Sequence, residues 1–213
     1  MTGPGRFITI EGGEGAGKST QIVRLRDGLQ DLGYKVLVTR EPGGSEGAEE
    51  IRKLLMGGTV DRWDAVTEAL LVYAARRDHL ARTIWPALAR GDWVISDRYE
   101  DSTRAYQGAG GLDAGAVEQL GSVARGTFQP DLTLILDLPV SLGRARAAAR
   151  RGQTDRFEDR GDGFHETVRR IFLATASAEP DRCAVIDAAE AIDRVAHAIA
   201  AAVTLRLGVA LLR

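Results

Sequence analysis

Residues 12–19 combine glycine, lysine and serine in an order typical of phosphate-binding loops. They read Gly-Gly-Glu-Gly-Ala-Gly-Lys-Ser and match the P-loop pattern G-x-x-x-x-G-K-[ST]. Glycines allow successive backbone N–H groups to face one anion, and a helix that begins there adds positive potential. In this pattern Lys18 reaches the β- and γ-phosphates and Ser19 binds Mg²⁺. The predicted nucleotide-binding residues are Gly12, Gly13, Glu14, Gly15, Ala16, Gly17, Lys18, Ser19 and Thr20.

A second pair of residues that could take part in a reaction is Asp97-Arg98, directly after the apolar run 93–96. A carboxylate at a strand end resembles a Walker-B position, so we predict that Asp97 binds Mg²⁺ together with Ser19. Arg98 beside it suits an anionic substrate, because a guanidinium can hold two phosphate oxygens at once. A structural salt bridge between Arg98 and Asp97 is the alternative. A guanine-reading Asn-Lys-x-Asp motif is excluded because the chain has no asparagine.

The elements that must position these groups follow from hydrophobic patterning. Predicted strands are 7–10, 35–39, 93–96, 132–138 and 183–187, and predicted helices include 48–56, 65–90, 113–125, 140–151, 164–178 and an alanine-rich helix that ends near 207. Pro86 is expected to bend or break the helix 65–90. Residues 99–111 are polar and contain glycine, so Tyr106 is placed in a loop. The alternation predicts an α/β, three-layer α/β/α fold with five parallel strands and ligands at their carboxyl ends.

Composition indicates an ordinary globular protein. With 213 residues we expect one domain spanning 1–213. A net charge of −2 gives no bulk attraction to nucleic acid or anionic lipid. The single cysteine, Cys183, excludes an internal disulfide framework. We find no apolar run of about 18 residues and no signal pattern, so no membrane association is expected and the cytoplasm is the predicted compartment.

Several segments, taken together and in order, resemble the thymidylate kinase family. They are Ile-Glu-Gly-Gly-Glu-Gly-Ala-Gly-Lys-Ser-Thr at 10–20, Thr-Arg-Glu-Pro-Gly-Gly at 39–44, Tyr-Ala-Ala-Arg at 73–76, Asp-Arg-Tyr at 97–99 with Ser102, Tyr-Gln-Gly at 106–108, and Pro-Asp at 130–131. The resemblance implies a P-loop kinase fold, ATP and Mg²⁺ as cofactors, dTMP as the small-molecule substrate, and a homodimer. The apolar segment 65–85 suits either a dimer surface or plain core packing.

The resemblance also implies roles for individual residues. Glu14 would bind the sugar 3′-hydroxyl, and Tyr106 would occupy the space of a 2′-hydroxyl. Arg76 would contact the base and share the monophosphate with Arg98. The predicted substrate-binding residues are Glu14, Arg40, Arg52, Val72, Arg76, Arg98, Ser102, Thr103, Tyr106 and Gln107. A solvated loop carboxylate is the alternative for Glu14, and a core tyrosine is the alternative for Tyr106.

Arginines crowd the segment 150–163, which we interpret as a lid. Some family members carry a basic residue inside the P-loop and others carry it in the lid. Here the position after Glu14 is Gly15, so the charge must come from elsewhere. Asp-Arg-Phe-Glu at 155–158 resembles a lid of the second kind, and a lid arginine can contribute about 10³–10⁵ in rate. The predicted catalytic residues are Lys18, Arg98, Arg150, Arg151 and Arg156.

One position departs from the family pattern. Four residues before Arg76 the family usually has an aromatic residue that stacks on thymine, whereas this chain has Val72. Tyr73 is adjacent, but on a helix it points roughly 100° away from Val72. Either Val72 itself packs against the base or a neighbouring residue supplies the stacking contact.

The predicted reaction is transfer of the γ-phosphoryl group of ATP to dTMP. A kinase for another nucleoside monophosphate, or for a deoxynucleoside with Glu14 as the base, is the nearest alternative. A P-loop switch or partner-binding ATPase is the alternative from a different class.

Overall fold

A parallel sheet at the centre of the molecule positions the site. The computed structural model describes residues 4–149, 156–157 and 159–211. The strands are β1 (Phe7–Gly12), β2 (Val36–Arg40), β3 (Trp93–Asp97), β4 (Leu132–Asp137) and β5 (Cys183–Asp187). Within the described residues they form one sheet of order β2-β3-β1-β4-β5, and all four pairings are parallel. The prediction of a five-stranded parallel α/β sheet is confirmed.

Helices cover both faces of this sheet. They are α1 (Lys18–Asp31), α2 (Glu46–Met56), α3 (Ala65–His79), α4 (Trp85–Ala89), α5 (Glu100–Ala109), α6 (Ala114–Arg125), α7 (Val140–Ala148), α8 (Asp162–Ala178) and α9 (Ile192–Leu207). On one face, Ile8 and Ile10 of β1 pack with Leu29 of α1 and Ile199 of α9. The opposite face carries separate apolar clusters, among them Ile135 of β4 with Phe172 of α8. In the described part of the chain no helix combines the length and the apolar character that crossing a membrane requires.

The helical stretch 65–90 is irregular before Pro86. Residues Leu80–Ile84 form a π-helical turn between α3 and α4. Pro86 has no N–H to donate to the preceding turn, and a wider turn there accommodates the missing bond. The expected distortion is therefore present, but it precedes the proline.

The prediction that Tyr106 lies in a loop was wrong, because residues 100–109 form α5. The polar composition concealed this helix. Its buried residues include Glu100, Asp101 and Ser102, whose partners are other side chains. Hydrophobic patterning cannot detect a helix whose buried face is polar.

Strand register brings the two predicted chemical groups together. In the β1–β3 pairing Ile10 lies opposite Asp97, so the loop after β1 and the Arg98 turn after β3 leave the sheet side by side. This is the carboxyl edge of the strands, where ligands of parallel α/β sheets collect.

Candidate active site

A cavity of about 310 Å³ opens at the carboxyl edge of the sheet. The predicted residues that line it are Glu14, Gly15, Ala16, Gly17, Lys18, Ser19, Thr20, Arg40, Arg52, Val72, Arg76, Asp97, Arg98, Ser102, Thr103, Tyr106 and Gln107. Gly12 and Gly13 instead line a smaller adjacent cavity of about 30 Å³. One continuous space therefore joins most of the predicted nucleotide-binding residues to all of the predicted substrate-binding residues.

Lys18 is held at the turn between the loop and α1. Its Nζ donates to the carbonyl oxygens of Gly12 at 3.1 Å and Gly13 at 2.9 Å. Burial, and then the neighbouring Arg98, lower the pKa of Lys18. Gly17 precedes the helix with a φ of 86°, a conformation that glycine adopts without strain. The loop thus places one cation and the start of α1 at the same end of the cavity.

The backbone around Gly15 leaves no room for a side chain at this position of the P-loop. Its φ is +71°, and a Cβ built there would lie 2.1 Å from the carbonyl oxygen of Gly143 in α7. The obstacle is backbone, which cannot rotate aside as a side chain would. A lysine or arginine at position 15 would require α7 to move.

The Arg98 guanidinium donates four hydrogen bonds inside the cavity. It donates to the Glu14 carboxylate at 2.6 Å, the Gly12 carbonyl oxygen at 3.0 Å, the Ser102 hydroxyl at 3.0 Å and the Tyr106 hydroxyl at 3.1 Å. Burial opposes its charge, but Tyr106 and Glu14 together raise its pKa above the ordinary value. It pairs with Glu14 rather than with Asp97, so the simple Arg98–Asp97 salt bridge is not observed.

The backbone at Arg98 is strained. Arg98 has φ of 71°, a left-handed conformation that costs a non-glycine residue on the order of 1–3 kcal/mol. Its N–H donates to Ile10 O at 3.0 Å, and Ser96 Oγ donates to its carbonyl oxygen at 2.8 Å. Such strain is concentrated at functional sites, where it fixes a side chain in an otherwise unfavourable direction.

Glu11 holds this turn in place and was not among the predicted residues. Its carboxylate is fully buried and accepts from the Tyr99 N–H at 2.7 Å and the Ser102 hydroxyl at 2.6 Å. Burial, reinforced by the negative charge of Asp101, raises the pKa of Glu11 to about 7. An acidic residue that continues the apolar run 7–10 of a central strand is the sequence signal that could have identified it.

Arg76 lies in a buried ionic cluster on the opposite wall. Its guanidinium donates to Glu41 at 2.7 Å, Glu100 at 2.7 Å and the Thr103 hydroxyl at 2.8 Å, and only 1% of its side chain is exposed. Burial opposes the charge, yet Glu41 and Glu100 raise the pKa of Arg76. Buried charges need such partners. The sequence indicated the arginine but neither of its carboxylates.

The two outer arginines are less enclosed. Arg40 is paired with Glu49 at 3.0 Å and its side chain is 55% exposed. Arg52 donates to the Pro42 carbonyl oxygen at 2.6 Å. Both line the cavity on the side of α2, so they stay candidates for phosphate contacts.

Oxygen atoms suited to a cation lie between the loop and β3. Ser19 and Asp97 both line the cavity, and Asp97 Oδ1 is a buried oxygen without a hydrogen-bond partner in the described part of the structure. Mg²⁺ prefers oxygen ligands and commonly takes one carboxylate with phosphate oxygens and water. Ser19 and Asp97 therefore offer the kind of oxygen atoms that a Mg²⁺ site requires.

Of the three predicted catalytic arginines in the lid segment, the described residues include Arg156. Arg150 and Arg151, together with Asp155 and Glu158 of the lid motif, lie outside the described residues. Arg156 is described, is buried, and forms an ion pair with Glu68 of α3. It is not among the residues that line the cavity, whereas its neighbour Phe157 is.

The aromatic residues that line the cavity together with Val72 come from elements other than α3. Val72 lines the cavity, but Tyr73 does not, because its hydroxyl donates to Glu100 at 2.7 Å and to Val117 O at 2.9 Å. Phe157 and Tyr106 line the cavity with ring centroids 5.9 Å apart. Together with Tyr99, they are the aromatic residues among the described residues that line the cavity.

The chain is similar in sequence and in fold to known proteins. The family model described as thymidylate kinase matches residues 10–199. The thymidylate kinase of Caulobacter vibrioides is 58% identical over 205 residues, which cover 96% of this chain and 98% of that protein. That of Magnetococcus marinus is 53% identical over 92% of this chain and 93% of its own length. The crystal structure of thymidylate kinase from Ehrlichia chaffeensis superposes with a TM-score of 0.77 at 32% identity and covers 95% of this chain and 99% of its own.

Proposed function

This chain belongs to the thymidylate kinase family, and on that premise we propose that it transfers the γ-phosphoryl group of ATP to dTMP. The products are dTDP and ADP. The observation that carries the proposal is the single cavity of about 310 Å³ that reaches from Lys18 to Arg98, Arg76 and Tyr106. Two anionic substrates in one cavity can meet without crossing bulk water.

The acceptor phosphate binds Arg98. Arg98 keeps its charge in the buried site, and its guanidinium faces both Glu14 and the backbone of the loop. The acceptor is itself an anion near neutral pH, so phosphoryl transfer needs positioning and charge neutralisation more than a strong base. Glu14 and the Tyr106 hydroxyl, 3.2 Å apart, then line the sugar side of the cavity. Tyr106 would meet a 2′-hydroxyl there, which favours deoxyribose.

The donor phosphates bind the loop. Lys18 and the backbone N–H groups around it hold the polyphosphate, and their fixed positions require no rearrangement as charge moves. Ser19 and Asp97 would hold Mg²⁺, which would supply positive charge to offset that of the donor phosphates. Arg150 and Arg151 stay predicted contributors of positive charge to the transferring group.

An acceptor panel tests this function. Purified protein with ATP and Mg²⁺ is assayed for ADP release with dTMP, dUMP, dCMP, AMP and thymidine, and dTDP is identified by mass. We expect the highest kcat/KM with dTMP and little ADP release without an acceptor. The Lys18→Ala variant, purified in parallel, controls for contaminating kinases. A preference for thymidine or AMP, or ATP turnover that ignores every acceptor, would contradict the proposal.

A homodimer is supported by exposed apolar side chains on α3 and α6. Val66 and Leu70 are each 51% exposed and Val123 is 83% exposed. Exposed apolar residues gathered on adjacent helices are typical of protein interfaces. Light scattering after size exclusion should give twice the monomer mass of 22.9 kDa. The cytoplasm stays the predicted compartment.

A further inference from the structure

His79 is a fully buried histidine that the proposed mechanism does not use. It is the last residue of α3, and 0% of its side chain is exposed. It does not line the cavity, whereas Glu41, which its ring contacts, does. Its Nδ1 lies 3.0 Å from Glu41 Oε1, and its Nε2 lies 2.7 Å from Thr39 Oγ1. Both ring nitrogens therefore contact residues at the end of β2 or directly after it.

The carboxylate of Glu41 decides which ring nitrogen carries a proton. A carboxylate paired with an arginine only accepts hydrogen bonds, so Nδ1 of His79 carries a proton and donates to Glu41 whether the ring is neutral or charged. In the neutral ring Nε2 accepts from the Thr39 hydroxyl. Gly44 packs against the same edge of the ring, and a Cβ added there would lie 2.3 Å from Nε2. The ring is therefore held in one orientation, with its Nδ1–H directed at Glu41.

Glu41 is shared between His79 and the substrate side of the cavity. Its Oε1 accepts from His79, and its Oε2 accepts from Arg76 Nε at 2.7 Å. The next residue, Pro42, accepts from Arg52 Nη1 at 2.6 Å through its carbonyl oxygen. A shift of this carboxylate would therefore move Arg76 directly and Arg52 through the backbone.

The Arg76 guanidinium has donors left for a substrate. Its Nε, Nη1 and Nη2 each donate one hydrogen bond, to Glu41, Glu100 and Thr103 respectively. A guanidinium carries five N–H groups in one plane. One N–H on Nη1 and one on Nη2 are thus available, among the described residues, to a molecule in the cavity that Arg76 lines. The plane rotates as a unit, so the direction of these two donors depends on the carboxylate at Nε.

We propose that His79 is a positioning residue for acceptor binding: by holding Glu41 through Nδ1, it fixes the plane in which Arg76 meets dTMP. This inference rests on the proposed function. A misplacement of about 1 Å caused by a residue outside the reacting centre can cost roughly 10²-fold in rate. Since Arg76 and Arg52 are predicted acceptor-binding residues, the loss should appear in the affinity for dTMP and not in that for ATP. A histidine that only filled core space would change stability without a preference for either substrate.

Two substitutions distinguish the two ring nitrogens. The amide nitrogen of asparagine reaches as far along the side chain as Nδ1, so His79→Asn keeps the donor to Glu41 and loses the contact with Thr39. The amide nitrogen of glutamine reaches as far as Nε2, so His79→Gln keeps a group near Thr39 and loses the donor to Glu41. His197→Gln is the matched control, because His197 is an exposed histidine on α9.

Equilibrium binding to the full-length proteins tests the proposal. Titration calorimetry measures the Kd for dTMP and, separately, for ATP with Mg²⁺, and urea unfolding confirms that each variant is folded. We expect His79→Gln to raise the Kd for dTMP by about 10–100-fold, because a hydrogen bond to a charged group is lost. His79→Asn should raise it by less than about tenfold, since only a neutral hydrogen bond is lost. The Kd for ATP should change by less than about twofold in both, because the donor loop shares no contact with His79.

The control and the kinetics complete the test. His197→Gln should match the unmodified protein with both substrates. Steady-state kinetics should repeat the difference, with the KM for dTMP raised in His79→Gln and kcat lowered less. Equal effects of His79→Gln and His79→Asn would overturn the proposal. An unchanged Kd for dTMP in folded His79→Gln, or a Kd for ATP that rises by the same factor, would overturn it as well.

A milder variant decides the matter if His79→Gln does not fold. Thr39→Val releases one side of the ring and keeps the contact between His79 and Glu41. It should raise the Kd for dTMP by about 2–10-fold and leave that for ATP unchanged, and the absence of this selective change would refute the role of His79. If the acceptor panel identifies another monophosphate as the substrate, the proposed function fails, and the same variants measured with that acceptor judge His79. A protein that binds no acceptor overturns both.

Discussion

The phosphate loop takes its groups from eight consecutive residues. The acceptor wall, by which we mean Arg76 and Arg98 with their carboxylate partners Glu41, Glu100 and Glu14, is assembled from segments far apart in the chain. In the proposed mechanism the loop binds the donor phosphates mainly through backbone N–H groups, and its cation is Lys18, which is held by two carbonyl oxygens. The acceptor wall depends on side chains. Arg76 and Arg98 are buried cations whose charges require Glu41, Glu100 and Glu14.

This difference has a physical consequence for mutation. Removing a side chain from the loop removes a contact to a ligand but leaves little of the folded protein unsatisfied. Removing one carboxylate from the acceptor wall leaves a buried guanidinium without its partner, which costs free energy even in the absence of substrate. Donor-side variants should therefore lose turnover, and acceptor-side variants should lose stability as well.

The largest expected effect is on the donor side. Lys18→Ala should lower kcat by at least about 10³-fold, because a fixed cation at the developing charge is lost. Its free energy of unfolding should change by less than about 1 kcal/mol, since burial already disfavours the charge of this lysine. A coupled ADP assay and urea unfolding measure the two quantities. An unchanged rate would remove Lys18 from the mechanism.

On the acceptor side the effect should appear in stability. Glu41→Gln removes a charge that Arg76 contacts at 2.7 Å and His79 contacts at 3.0 Å. We expect a loss of about 3–5 kcal/mol in the free energy of unfolding. Glu49→Gln is the matched control, because its pair with the exposed Arg40 should contribute less than about 1 kcal/mol. Equal losses in the two variants would show that the buried pair of Arg76 contributes no more to stability than an exposed ion pair.

The same contrast explains what the sequence could predict. The loop between β1 and α1 could be located because its pattern is local. The five parallel strands were predicted because their apolar runs are short and bounded, and the prediction for 183–187 matches β5 residue for residue. The polar helix α5 was not predicted. Its buried polar and charged residues have partners elsewhere in the fold, and those partners cannot be identified from local patterning.

The buried carboxylates of the acceptor wall were missed for a related reason. Acidic residues are mostly exposed, so Glu11, Glu41, Glu68 and Glu100 attracted no functional interpretation. The family resemblance identified the arginines but gave no account of what compensates them. In one case the sequence did contain a signal for a buried carboxylate. Glu68, Val72 and Arg76 recur every four residues and share the buried face of α3.

Glu11 provides a pH-dependent test of the acceptor wall. Its pKa is raised to about 7 in the folded protein from an ordinary value of 4.5, so between these values the folded state retains a proton that the unfolded chain releases. The free energy of unfolding should therefore fall as pH rises through this window, by up to about 3 kcal/mol, and this contribution should level off above pH 7. Glu11→Gln lacks the group. Urea unfolding at about pH 5 and about pH 7.5 should thus show a larger decrease in the unmodified protein than in the variant, and equal decreases would rule out the raised pKa.

Gly15 tests the stability of the loop itself. The loop packs here through a close backbone approach to Gly143, whereas the acceptor wall is stabilised by charge pairs. Gly15→Ala places a methyl group against the Gly143 carbonyl oxygen in a left-handed conformation, and we expect it to destabilise the protein by about 2 kcal/mol. Gly13→Ala is the control, because a Cβ at Gly13 meets no atom within 4 Å. Thermal unfolding of the two variants measures the difference. A Gly13→Ala protein as unstable as Gly15→Ala would show that the contact with α7 is unimportant.

The smallest expected effect concerns Val72, which lines the cavity at the position where the family usually has an aromatic residue. Phe157 and Tyr106 already place rings in the cavity, so an added ring at position 72 would supplement contacts instead of creating the first one. Stacking of a base on an aromatic side chain contributes about 1–3 kcal/mol, and a buried valine already supplies part of that contact. Val72→Phe should therefore lower the KM for dTMP by less than about tenfold and leave kcat unchanged. A larger gain would mean that the base reaches neither Phe157 nor Tyr106, and that this chain binds its acceptor mainly through the charges of Arg76 and Arg98.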